Sequence, residues 1–165
     1  MTENNQKRNE EEVGLYEKII ARTEELLGSG RKNLDEALKR AGDDISSAGN
    51  FTREQAEKVS RFIKRDIQHT VANAGKGKDT MKEAVDPKRL AVGAQSFFSK
   101  ILSHTAETLS SWAEKSERQL EFKTGEITSP GALTCKGCGE VIHIKKTAKI
   151  PPCPKCHQTL YRKSY

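Results

Sequence analysis

Two cysteine pairs, Cys135-Lys136-Gly137-Cys138 and Cys153-Pro154-Lys155-Cys156, stand fourteen residues apart in the last fifth of this 165-residue chain. Each spacing lets one tight turn present two thiolates to a point. The intervening segment is long enough for a hairpin that brings the turns together, so four sulfurs can close a tetrahedron around one Zn²⁺. A closed four-sulfur shell leaves no position for water or substrate, and the metal is expected to be structural. The same ligands would suit a single iron in a rubredoxin-like electron carrier, and two disulfides are the covalent alternative. Low aromatic content and a small basic ribbon favour zinc.

A knuckle of this kind must bend the backbone so that N–H groups aim at the sulfurs, and glycine permits the left-handed conformation required. The first pair has glycine at Gly137 and Gly139, whereas the second has His157 directly after Cys156. Histidine tolerates positive φ better than most residues, so His157 is either a backbone substitute or a competing ligand. Pro151, Pro152 and Pro154 stiffen the second knuckle and lower the entropy lost on closing it.

Upstream of the cysteines a deep core is not expected, because 34% of the chain is hydrophobic, 32% charged and 5% aromatic. Glu, Lys, Arg, Ala and Leu at helical spacing indicate long, exposed helices packed along one stripe. Val13, Tyr16, Ile20, Thr23 and Leu27 share one face of a helix near 10–28, preceded by a polar segment, 1–9, expected to be disordered. A shorter helix near 31–42 carries Leu34, Ala37, Leu38 and Ala41 and is expected to stop at Gly42, with 43–50 as a loop. Thr52 and Gln55 make a capping box for a helix over 52–74, with Ala56, Val59, Ile63, Ile67, Val71 and Ala74 inward. Its opposite face carries Arg53, Lys58, Arg61, Lys64, Arg65 and Asp66. Gly75-Lys76-Gly77-Lys78 lacks phosphate-loop spacing and reads as a connector. Pro87 opens a long helix over 88–122, whose two stripes, 90/94/97/101 and 98/102/105/109/112, can touch two neighbours at once.

Helical periodicity stops at 123–131, read as a linker, and short strands at 132–134, 141–144 and 159–161 make the ribbon, 132–165. The fold class expected is mostly α, an elongated helical hairpin or bundle with a small C-terminal β zinc ribbon.

The net charge of +6 is concentrated in that ribbon: from Ile127 onward seven bases face one acid, Glu140, while the remaining residues hold 22 of each sign. Four thiolates on Zn²⁺ carry −2 together and leave the ribbon basic. No apolar run is long enough to span a bilayer and no signal-peptide segment opens the sequence, so a cytoplasmic protein is expected, where paired thiols favour metal over disulfide.

Three features carry a family resemblance: the capped helix from Phe51-Thr52-Arg53-Glu54 to Arg61-Phe62-Ile63-Lys64-Arg65-Asp66; the junction Thr124-Gly125-Glu126-Ile127 with Gly131-Ala132-Leu133-Thr134-Cys135; and the ending Pro152-Cys153-Pro154-Lys155-Cys156. In these the chain resembles the bacterial zinc-ribbon-containing family of YbeL-like proteins. The resemblance implies a helical N-terminal region followed by a C-terminal ribbon, and it implies no reaction.

Enzyme chemistry finds little footing. His69, His104, His143 and His157 are dispersed, the first two expected on helix surfaces, and no nucleophile or metalloprotease motif is present. Nucleic-acid or ribonucleoprotein binding would use Lys136, Lys145, Lys146, Lys149, Lys155, Arg162 and Lys163 on phosphates, with Tyr161 or Tyr165 available to stack on a base. The alternative is a protein-interaction adapter whose helical stripes bind a partner or a second copy. Neither a small-molecule substrate nor a membrane is expected as a partner.

Overall fold

Helix-forming residues dominate the first 74 positions, and the computed structural model turns them into three packed helices. It describes residues 3–30, 33–74 and 120–164. The helix expected over 88–122 lies outside these residues up to position 119, as do the Gly75–Lys78 connector, His104 and Tyr165.

Helix α1 spans Glu3–Gly28. The segment expected to be disordered is therefore helical from Glu3, because no proline or glycine interrupts the Asn, Gln, Lys, Arg and Glu run and adding residues to a helix already fixed by packing is favourable. Leu15, Tyr16, Ile19, Ile20, Thr23 and Leu26 are its buried face.

Helix α2 spans Leu34–Ser47 behind an Asn33 cap, whose side chain accepts from the N–H groups of Asp35 and Glu36 at 3.0 and 3.3 Å. It does not stop at Gly42. That glycine is buried, and a Cβ there would lie 3.3 Å from Ser60 Oγ, so it marks the close crossing of the next helix. Helix α3, Arg53–Ala74, begins with the reciprocal Thr52–Gln55 pair: the Gln55 N–H donates to Thr52 Oγ1 at 3.2 Å, and the Thr52 N–H to Gln55 Oε1 at 2.9 Å. Ala56, Val59, Ile63 and Ile67 close the core against α1 and α2.

The ribbon holds six short strands, β1 (Phe122–Lys123), β2 (Ile127–Thr128), β3 (Gly131–Cys135), β4 (Val141–Ile144), β5 (Ala148–Lys149) and β6 (Leu160–Ser164). Strands β1, β6, β3 and β4 form one antiparallel sheet in that order, and β2 pairs with β5. Phe122 thus belongs to a strand, not to the end of a long helix.

The segment 123–131 is not a linker. Ile127, Thr128 and Ser129 are buried, and Ile127 enters the helical core. Its turns dock the ribbon onto α3, the buried Ser129 N–H donating to Asp66 Oδ2 at 2.6 Å, and tie back into the ribbon, the Gly125 N–H donating to Ile150 O at 2.8 Å.

Asp66, expected on the polar face of α3, is 1% exposed and sits at the centre of this junction. Besides Ser129 it accepts from Tyr16 Oη at 2.8 Å and from Thr128 Oγ1 at 3.2 Å. Burial, then the Asp66 charge, pushes the Tyr16 hydroxyl well above the ordinary tyrosine pKa. Arg65 flanks the same carboxylate, its Nη2 donating to Asp66 Oδ1 at 3.3 Å, and reaches on into the ribbon. Its guanidinium pairs with Glu126, donates to Ile127 O at 2.9 Å and lies 4.0 Å from the Phe122 ring centroid.

His69 is also inside, 5% exposed, donating from Nε2 to Lys163 O at 2.9 Å with its ring edge-on to Phe122. Burial holds its pKa down to about 4; Lys163 and Arg65 press the same way, and the Lys163 carbonyl and Asp66 oppose them. A histidine neutral when folded and protonated when unfolded destabilises the fold as pH falls through 6.5 toward 4. Between pH 7 and pH 5 this amounts to about 2 kcal/mol. Urea midpoints of wild type and His69→Gln should therefore converge over that range, since the subtraction removes the acid response of the other groups. Parallel curves would show that His69 does not titrate as the burial demands.

Candidate metal centre

The two knuckles are built alike. In the first, which closes β3, the Cys135 N–H donates to Glu140 O at 2.8 Å and the Gly139 N–H returns to Cys135 O at 3.0 Å. In the second, the Cys153 N–H donates to Gln158 O at 3.1 Å and the His157 N–H returns to Cys153 O at 3.0 Å. The residue four past the first cysteine has positive φ in both, 75° at Gly139 and 59° at His157. His157 is thus the backbone counterpart of Gly139, with its exposed ring apart from the four converging sulfurs.

Gly137 serves a different purpose from the one its motif suggests. Its φ is not positive; a Cβ there would stand 2.7 Å from Gln158 Cγ. The missing side chain lets the two knuckles approach.

The four Sγ atoms lie within 4.8 Å of one another, Cys135 to Cys156 at 3.5 Å and Cys138 to Cys153 at 3.6 Å. A tetrahedron with Zn–S bonds of about 2.3 Å has edges of about 3.8 Å, close to these two separations, so the donor set suits zinc. All four cysteines are free thiols. Backbone N–H groups supply the second layer: Gly137 donates to Cys135 Sγ at 3.4 Å, and those of Cys156 and Lys155 draw the Cys153 thiol down to about 6. Behind the sulfurs, Phe122, Leu133, Ile150 and Tyr161 make a small core. Burial and the sulfurs push the Tyr161 hydroxyl, which donates to Pro151 O at 2.9 Å, up to about 12.

The ribbon bases separate into three groups. Lys163 is 4% exposed, its Nζ donating to Ser129 Oγ at 2.7 Å, Ser129 O at 2.9 Å and Thr128 Oγ1 at 3.0 Å; it is a junction residue and no phosphate contact. Lys149, Lys136 and Lys155 are turned toward acids, Glu12 at 2.5 Å, Glu121 at 2.7 Å and Glu140 at 3.9 Å. Lys145, Lys146 and Arg162 are exposed. Tyr161, considered above as a stacking residue, is fully buried and offers no face to a base.

Sequence reasoning missed Asp66 and Lys123. Lys123 stands exposed on β1, where no motif marks it.

A family model described as a zinc-ribbon containing domain matches residues 21–164. Over 154 residues the chain is 23% identical to the uncharacterized protein YbeL of Escherichia coli K12, and equally to the YbeL proteins of strains O6:H1 and O157:H7, with 91% of this chain and 94% of each relative covered. No solved structure matches it. The family description implies zinc at the four-sulfur centre, and because its match runs through helices and ribbon alike, the chain belongs to the zinc-ribbon-containing family.

Proposed function

We propose that this is a non-enzymatic cytoplasmic protein in which one structural Zn²⁺, held by Cys135, Cys138, Cys153 and Cys156, fixes a basic ribbon that binds nucleic acid or a ribonucleoprotein. The observation that carries the reading is the charge left over after pairing. Each ribbon acid, Glu121, Glu126 and Glu140, already faces another base, while Lys145, Lys146 and Arg162 stand in solvent with no acidic partner among the described residues. Concentrated, uncompensated positive charge on a rigid scaffold attracts a polyanion. Four thiolates complete a tetrahedral shell, which suits a folding role for the metal. No helix among the described residues is long and apolar enough to cross a membrane.

The adapter reading draws less support, because the stripes of α1, α2 and α3 bury one another. Affinity purification from native cells, with and without nuclease, separates the two. Co-purifying nucleic acid that is lost on nuclease treatment or at raised salt is the expected result. A protein partner retained through both treatments would move the function to the helices.

A further inference from the structure

We infer that the outer face of the ribbon sheet is a track for the phosphate backbone of duplex nucleic acid, read without regard to base sequence. This inference rests on the nucleic-acid reading above and names its ligand. Directly opposed residues of an antiparallel pair share a face of the sheet. The registers Phe122↔Tyr161↔Cys135 and Lys163↔Leu133↔Ile142 define the inner face, packed on the metal centre and the junction. The alternate registers, Lys123↔Leu160, Arg162↔Thr134↔Val141 and Ala132↔His143, define the outer one.

On that face the bases fall on a diagonal. Lys123 lies on the β1 edge at the knuckle end, Arg162 two residues further along β6, His143 further again on the β4 edge, and Lys145 and Lys146 directly after that strand. With strands about 4.8 Å apart and about 3.3 Å per residue, the line from Lys123 to Lys145 is about 25 Å long. That is the rise of about seven nucleotides along one strand. Lys123, His143, Lys145, Lys146 and Arg162 are all exposed.

Among the described residues, the diagonal lacks what single strands need. Nonspecific single-strand binders stack successive bases on aromatic rings, but Phe122 and Tyr161 face inward and His143 is the one ring among the described outer-face residues. Phosphate contacts without stacking hold a backbone whose bases are already stacked on each other, which is a duplex. They carry no base information, so affinity follows charge alone.

The test uses the full zinc-loaded chain and fluorescence anisotropy with a 20-base-pair duplex, a second duplex of unrelated sequence, and the single strands of each. The duplexes should bind alike, within about twofold, and more tightly than their strands, with a log–log salt slope of about −3 to −4 for four cationic contacts. The triple variant Lys123→Gln/Arg162→Gln/Lys145→Gln should weaken duplex binding at least about tenfold and flatten the slope, while Lys136→Gln/Lys155→Gln, which alters paired bases, should change it less than about twofold. Unchanged zinc content and circular dichroism establish that the variants fold. Tighter binding of single strands, a His143→Ala loss as large as the triple variant's, or an equal loss in Lys136→Gln/Lys155→Gln would overturn the track. Failure of wild type to bind any of the probes would instead sink the nucleic-acid reading beneath it.

Discussion

Asp66→Ala is expected to destabilise the protein by about 3 to 5 kcal/mol, the range found when one member of a buried charged network is removed. The loss exceeds that of the hydrogen bonds themselves. Lys163 Nζ is buried among Thr128 and Ser129, and burial already pulls its pKa below the usual lysine value against the Asp66 charge, which raises it. Without Asp66 that ammonium keeps its desolvation cost with no carboxylate nearby, while the Tyr16 hydroxyl and the Ser129 N–H lose their acceptor. Denaturant titration measures the change, and the double variant Asp66→Ala/Lys163→Met should recover part of it, because the stranded charge leaves with the lysine. A loss below about 1 kcal/mol, or strict additivity of the two substitutions, would contradict the network.

Zinc removal should have the largest effect of all. Structural zinc sites contribute on the order of 10 kcal/mol to folding at neutral pH, more than a ribbon with six buried core residues supplies by itself. A strong chelator, or Cys→Ser at any one of the four positions, is expected to unfold the ribbon. One equivalent of zinc should be released from a colourless protein, whereas visible absorption would mark iron.

From sequence alone one expects the tail to melt while the helical signal stays. The junction changes that expectation. Asp66, Arg65 and His69 of α3 have partners in the ribbon, and Ile127 fills the helical core. Ribbon unfolding should therefore lower the helical melting midpoint as well. Far-ultraviolet circular dichroism during thermal melts, with and without chelator, checks this; coincident helical midpoints would show two independent parts.

The metal ligands were legible because their chemistry is written in local spacing. The α3 stripe was legible for the same reason, through its 3.6-residue period. Asp66 was misread by residue type: at about 100° per residue it lies only about 60° around the helix from Ile63, on the border of the apolar stripe. Its burial depends on acceptors being wanted at Tyr16 and Ser129, fifty and sixty-three positions away in the chain. Lys163 was misread in the same manner, although with Tyr161 inward the two-residue period of a strand puts Lys163 inward too. The turns at 123–131 looked like a linker because their composition records backbone conformation and is silent about Ile127 meeting a core assembled by distant helices.

The position of β6 between β1 and β3 has a consequence for biosynthesis. A nascent chain that has emerged only as far as Gln158 possesses all four sulfur ligands and the hydrogen bonds of both knuckles, yet β1 and β3 still lack the strand that joins them, and Asp66 still awaits Lys163. Metal capture can thus precede assembly, with the two knuckles holding zinc in a half-made ribbon. Emergence of Leu160–Ser164 then knits the sheet and completes its docking to the helices through Lys163 and His69.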